Sequence, residues 1–90
     1  HGVSEVYQKG VKKYRVLIHI NGNYKIGTYS TEEKAAIAYN KAADLAKSHG
    51  INKNFPENYV ESCSPREYAD LYTKLRISKK YLDYLKMVAP

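Results

Sequence analysis

The chain has 90 residues, a net charge of +6 and an apolar share of 43%. That length allows one domain with one modest core, and that apolar share excludes a disordered tail. A lone cysteine, Cys63, excludes an internal disulfide, and no apolar run approaches the roughly 20 residues of a membrane span.

A single thiol reads as an intracellular chain. The start at His1-Gly2-Val3, with no signal peptide, reads as a domain cut from a longer protein. Ten Tyr and one Phe stand beside no Trp, so most large side chains carry a hydroxyl that needs a wet edge or a partner. The basic balance points to an anionic partner, nucleic acid ahead of an anionic membrane surface. It is unevenly spread. Residues 1–29 set Lys9, Lys12, Lys13, Arg15 and Lys25 against Glu5 alone. Residues 30–50 are neutral, 51–63 slightly acidic, and 64–90 again basic, with Arg66, Lys74, Arg76, Lys79, Lys80 and Lys86.

In chain order, a short strand is expected within Val3–Tyr7, followed by a turn at Gln8-Lys9-Gly10. Two longer strands, Tyr14–Ile20 and Asn23–Tyr29, flank Asn21-Gly22, the strongest short hairpin signal. A two-residue turn would pair Ile18 with Lys25 and Leu17 with Ile26. A three-residue Asn21-Gly22-Asn23 loop would pair Ile20 with Tyr24, His19 with Lys25 and Ile18 with Ile26. The second register is preferred, because it gathers Val16, Ile18, Ile20, Tyr24 and Ile26 on one face and Lys13, Arg15, His19 and Lys25 on the other. It leaves Leu17 on the polar face.

Ser30-Thr31-Glu32-Glu33 reads as a capping box with Ser30 as N-cap and Glu33 reaching back. A helix over 31–49 follows, carrying Ala35, Ala36, Ala38, Tyr39, Ala42, Ala43, Leu45 and Ala46 at helical spacing and stopping at Gly50. Alanine on the buried stripe lets the helix axis lie close on the sheet. The other face of the sheet, with the positive excess of residues 1–29, then stays open to the size of a DNA major groove.

Ser64-Pro65-Arg66-Glu67 is a second helix start, with an N-cap, a proline at the first helical position and a capping Glu. Tyr68, Leu71, Tyr72 and Leu75 continue it as an amphipathic helix. Ile77-Ser78 either breaks this helix, with Ser78–Leu85 forming another, or is passed through. Such a segment packs on the core of a domain this small, or serves as a homodimer contact, or adds a basic arm.

The order His1-Gly2-Val3, Tyr14-Arg15-Val16-Leu17-Ile18, Ile26-Gly27-Thr28-Tyr29-Ser30-Thr31-Glu32-Glu33, Ala35-Ala36-Ile37-Ala38-Tyr39-Asn40-Lys41-Ala42-Ala43 and Asn52-Lys53-Asn54-Phe55-Pro56 resembles the APETALA-2/ethylene-response-factor DNA-binding domain. The match covers about residues 1–56 and leaves 57–90 as a C-terminal helical extension. The resemblance implies an α+β fold, a three-stranded antiparallel sheet packed on one alanine-rich helix and docked in the major groove of double-stranded DNA. It implies a nuclear transcription regulator. The family's contacting positions are occupied here by Ser4, Val6, Gln8, Leu17, His19, Asn23 and Lys25. Plant members carry arginines and tryptophans at many of these positions, so their target sequence does not carry over. The Tyr- and Lys-rich character is similar to the apicomplexan branch of the family, ahead of the versions attached to homing endonucleases.

Within that face Arg15 suits direct reading, since a guanidinium bonds guanine O6 and N7 together. Lys25 and His19 suit phosphate or base. Asn23 could read adenine, whereas Asn21 is better explained as a turn residue. Lys9, Lys12 and Lys13 suit phosphate contacts, which position without specifying. A protein-interaction module, supported by Val6 and Leu17 on the outward face, is one alternative, and the DNA-targeting module of a homing endonuclease is another. His1, His19, His49 and Cys63 lack a metal-binding spacing, there is no phosphate-binding glycine loop, and Asp44, Glu57 and Glu61 read as solvated charges. No enzyme, cofactor or metal is therefore expected.

Overall fold

A computed structural model describes residues 2–51 and 53–88. His1 and Asn52, both part of the family-like pattern, lie outside the described residues. Three strands, β1 (Val3–Gln8), β2 (Val11–His19) and β3 (Asn23–Tyr29), form an antiparallel meander in the order β1-β2-β3. Helices α1 (Glu32–Ser48), α2 (Pro65–Lys74) and α3 (Lys79–Val88) follow, giving the α+β arrangement expected.

The first hairpin turns on Lys9 and Gly10, both at positive φ, the turn geometry that matches the twist of paired strands. The second differs from the expected pairing. His19 pairs with Asn23, Ile18 with Tyr24 and Leu17 with Lys25, around a loop of Ile20, Asn21 and Gly22. The slip from the preferred register is two residues, which leaves every side chain here on its expected face. Val16, Ile18, Ile20 and Ile26 are accordingly buried. Beyond Leu17 the pairing shifts, with Val16 opposite Gly27 and Ile26 left as the extra residue of a bulge. The bulge reverses the alternation. Thr28, opposite Arg15, faces outward with it, while Tyr29, opposite Tyr14, turns inward. Tyr29 folds back over Gly27, where an added Cβ would stand 2.6 Å from the phenol oxygen.

The cap of α1 lies one residue later than expected. Thr31, not Ser30, is the N-cap, and its Oγ1 accepts from the Lys34 amide at 3.2 Å. Ser30 instead accepts from Lys34 Nζ at 3.4 Å. Thr31 has the extended backbone (φ −131°, ψ 155°) and the reach to the third amide that a cap requires. Thr31→Ala should lower stability by about 1 kcal/mol, and Ser30→Ala should leave the chemical-denaturation midpoint nearly unchanged. At the other end Gly50 (φ +82°) closes a Schellman motif, with Gly50 N donating to Lys47 O and Ile51 N to Ala46 O. The stripe of α1 in the core shared with the sheet is Ala35, Ala38, Ala42, Ala43 and Ala46 with Tyr39, while Ile37 is buried outside that cluster. The stripe lies on β2 and β3, as alanine spacing implies.

Asn40 is the one buried polar side chain, 3% exposed, among the described residues. It donates from Nδ2 to Asn58 O and accepts at Oδ1 from Asn58 N, clamping the loop after Phe55 to the helix. The extension then packs on the core. The capping box at Ser64 and Glu67 forms as expected. Lys41 Nζ bonds the terminal carbonyls of α2, Tyr72 O at 2.8 Å and Leu75 O at 3.1 Å. Asp44, read from sequence as a solvated charge, accepts from Tyr72 Oη at 2.7 Å. The chain breaks at 75–78 and runs along β3, where Ser78 N donates to the bulged Ile26 carbonyl and Tyr29 Oη to Arg76 O. In α3, Tyr81 and Leu85 are fully buried, and Tyr84 stacks on Tyr24 with ring centroids 4.3 Å apart. Burial pushes the Tyr81 phenol well above its ordinary range, with Tyr84 and Tyr39 adding to the effect. Its hydroxyl donates to Ala42 O at 2.6 Å.

Candidate nucleic-acid interface

α1 and α3 occupy one face of the sheet. The opposite face carries Ser4, Val6 and Gln8 from β1, Val11, Lys13, Arg15, Leu17 and His19 from β2, and Asn23, Lys25 and Thr28 from β3. Among the described residues, no Asp or Glu stands on it. The acidic side chains lie elsewhere, several of them around a groove lined by Glu32, Glu33, Tyr59 and Glu61 at the start of α1. The cations of this face therefore stand apart from the acidic side chains.

The central strand orders the face. Arg15 is exposed and stands between Ser4 on β1 and Thr28 on β3. Lys13 opposes Val6, and Leu17 opposes Lys25. At the hairpin end, His19 Nδ1 and Asn23 Oδ1 lie 3.1 Å apart, a cross-strand tie that occupies both groups. Among the described residues, the side chains of Lys9, Lys13, Arg15 and Lys25 have no hydrogen-bond or ion-pair partner. Cations left exposed side by side with no counter-charge retain their full attraction for an external anion.

Lys12 is the exception among the expected contacts. It stands on the helix side of the sheet, opposite Tyr7, and its Nζ is 3.1 Å from Glu5 Oε1 and 5.9 Å from the Tyr14 ring centre. The reason is alternation: Lys13 and Arg15 face outward, so Lys12 and Tyr14 face the other way. Its hydrogen bond and attraction to Glu5 raise the Lys12 pKa. The expected pairing of His19 with Lys25 is likewise replaced by His19 with Asn23.

Two residues join the face that sequence reasoning did not place there, and a third reaches the hairpin end beside it. Val11 opposes Gln8 near the first turn and is exposed. Thr28 is outward only because of the bulge, which no pattern in the sequence announces. Its Oγ1 is buried and without a hydrogen bond among the described groups. Lys53 donates to His19 O at 2.8 Å and so adds a cation at the hairpin end. A Lys in a loop 34 residues away gives no signal of that contact.

No group of His, Cys, Asp or Glu suited to a metal ion occurs among the described residues, and no helix among them is long and apolar enough to cross a membrane. No family model, curated protein or solved structure matches the chain.

Proposed function

We propose that the open sheet face binds double-stranded DNA in the major groove and reads its sequence, as an APETALA-2/ethylene-response-factor-like domain of a nuclear transcription regulator. The observation that carries this reading is the face free of Asp and Glu among the described residues, with exposed Arg15 and Lys25 and partly exposed Lys13 on one side of a sheet whose other side is filled by helices. Three strands about 4.8 Å apart put the outer backbones roughly 10 Å from each other, a width that a groove of about 12 Å admits. Lys9 at the first turn, Lys13 on the central strand and Lys53 beside the second hairpin suit phosphates, and Lys25 suits phosphate or base.

Selection from random duplexes by the whole chain tests this directly. An enriched motif is expected, and unselective recovery would overturn sequence reading. Affinity should fall with salt, by about 0.9 in log K per decade of salt for each phosphate neutralised. The outward and inward lysines separate cleanly. Lys13→Ala should weaken all duplexes alike and lower the salt slope by about 1. Lys12→Ala should leave both unchanged, since its ammonium serves Glu5 behind the sheet. A titration of both variants across a salt series checks this, and equal effects would displace the sheet face from the interface.

A second reading has an observation of its own. Val6, Val11 and Leu17 also stand on this face, and an interaction module would use them against a protein partner. Salt-insensitive capture of a protein by the domain, with no DNA shift, is the outcome that would favour it.

A further inference from the structure

The apolar side chains of the open face are arranged in a way that duplex binding in general does not require. Each of the two that lie inside the sheet faces a lysine across the strands: Leu17 opposite Lys25, and Val6 opposite Lys13. Arg15 sits between the two pairs on the central strand. Resting on the duplex-binding reading above, we propose that the Leu17–Lys25 pair recognises a thymine, Leu17 covering its C5-methyl group and Lys25 donating to its O4.

Leu17 is held for this. Its amide donates to Gly2 O at 2.8 Å, and Gly2 approaches so closely that a Cβ there would stand 2.4 Å from Leu17 O. The leucine lies between Arg15 and His19 in the outward row of β2, partly covered by its neighbours. A lone exposed leucine is ordinary on a protein surface. One whose backbone is held in the central strand of a basic face, opposite a lysine, makes a defined chemical pair, an apolar surface next to a donor.

In the major groove a C5-methyl group beside an acceptor is presented by thymine alone, whose O4 is adjacent to the methyl. A 5-methylcytosine offers the same methyl, but beside it a donor, the N4 amino group. Lysine has three donors and no acceptor, so Lys25 complements thymine and opposes 5-methylcytosine. The nearest outward acceptor, Asn23 Oδ1, is taken by His19 Nδ1. Among the described residues, no Asp or Glu on the face can accept from an amino group. Along β2, Arg15 and Leu17 are two residues apart, about 7 Å, or roughly two base-pair rises. The thymine should therefore fall within about two base pairs of a guanine read by Arg15.

The test uses the full 90-residue chain and the duplex that selection returns. Each thymine is replaced in turn by deoxyuridine, which removes only the methyl, and then by 5-methylcytosine paired with guanine. For the wild type, one deoxyuridine position should weaken binding about fourfold, the effect of burying one methyl group. 5-Methylcytosine at that position should weaken it by tenfold or more. Leu17→Ala should bind the thymine and deoxyuridine duplexes equally. Lys25→Ala should keep the methyl effect and lose discrimination against 5-methylcytosine. Far-ultraviolet circular dichroism on both variants confirms that the fold is retained. Equal binding of every deoxyuridine duplex, or an unchanged methyl effect in Leu17→Ala, would overturn the thymine assignment while leaving duplex binding standing. If 5-methylcytosine binds as tightly as thymine, Lys25 does not read O4 and the assignment fails. If no salt-dependent duplex binding is found at all, the parent reading falls and this one with it.

Discussion

A chain ended after Cys63 is expected to lose its cooperative unfolding transition, although it retains the sheet, α1 and everything in the family-like match. The extension supplies Tyr81 and Leu85, among the most deeply buried side chains of the domain, and Tyr84 as a stacked lid on Tyr24. Fully burying one large apolar side chain contributes about 1.5–3 kcal/mol, so the two buried groups, with the partly buried Tyr84 beside them, are a large share of the whole stability of a small domain, about 5–15 kcal/mol. Polar losses act in the same direction. Without the extension the Ile26 carbonyl at the bulge loses Ser78 N, the Tyr29 hydroxyl loses Arg76 O, and Ala42 O loses the Tyr81 hydroxyl. Lys41 and Asp44 lose the partners that pin α2 to α1. Thermal unfolding by circular dichroism checks the prediction. A sharp transition in the shortened chain, within about 2 kcal/mol of the full chain, would show that the extension is an appendage. Leu85→Ala gives the graded version, with an expected loss of about 2–5 kcal/mol.

The sequence announces the extension as elements but not its attachment. The capping box at Ser64–Glu67 and the Tyr68–Leu75 spacing are local signals, and local signals suffice for helices. Which core the helices complete depends on Ile26 and Gly27, where the bulge frees one carbonyl and reverses the facing of Thr28 and Tyr29. A bulge is fixed by tertiary demands, here the Tyr29–Gly27 packing and the hydrogen bond to Ser78, so strict alternation misplaces both residues. The outward face was legible where parity alone decides. Lys13, Arg15, Leu17, His19 and Lys25 fall where alternation puts them, and the two-residue slip in the hairpin moved none of them. Lys12 lies on the opposite side of the sheet because parity, not nearness to the first turn, decides facing inside a paired strand. Asn40 had no local signature, because its partner Asn58 lies in a loop whose course follows from burial of Phe55.

Arg15→Ala should have the largest effect on sequence preference of any outward substitution. Arg15 is at the middle of the central strand, so a duplex centred on the sheet meets it first. Its cross-strand neighbours, Ser4 and Thr28, are short, uncharged side chains, and no described group bonds its guanidinium. A guanidinium held in this way keeps its planar fork for an external pair of acceptors, and guanine O6 with N7 is the pair in the major groove that fits it. Loss of one bidentate contact costs about 1–3 kcal/mol, or roughly 5- to 150-fold in affinity for the preferred site. Non-specific binding should fall far less, because only one positive charge is removed from a face that keeps Lys9, Lys13, Lys25 and Lys53. Arg15→Lys makes the distinction sharper. It preserves charge and the salt slope but replaces the fork with a point charge, so preference at one base position should relax while affinity for random duplex stays close to the wild type. Parallel titrations of selected and scrambled duplexes with both variants measure the two quantities separately. A uniform loss on both duplexes would assign Arg15 to phosphate, and the base-reading role would pass to another residue of the row.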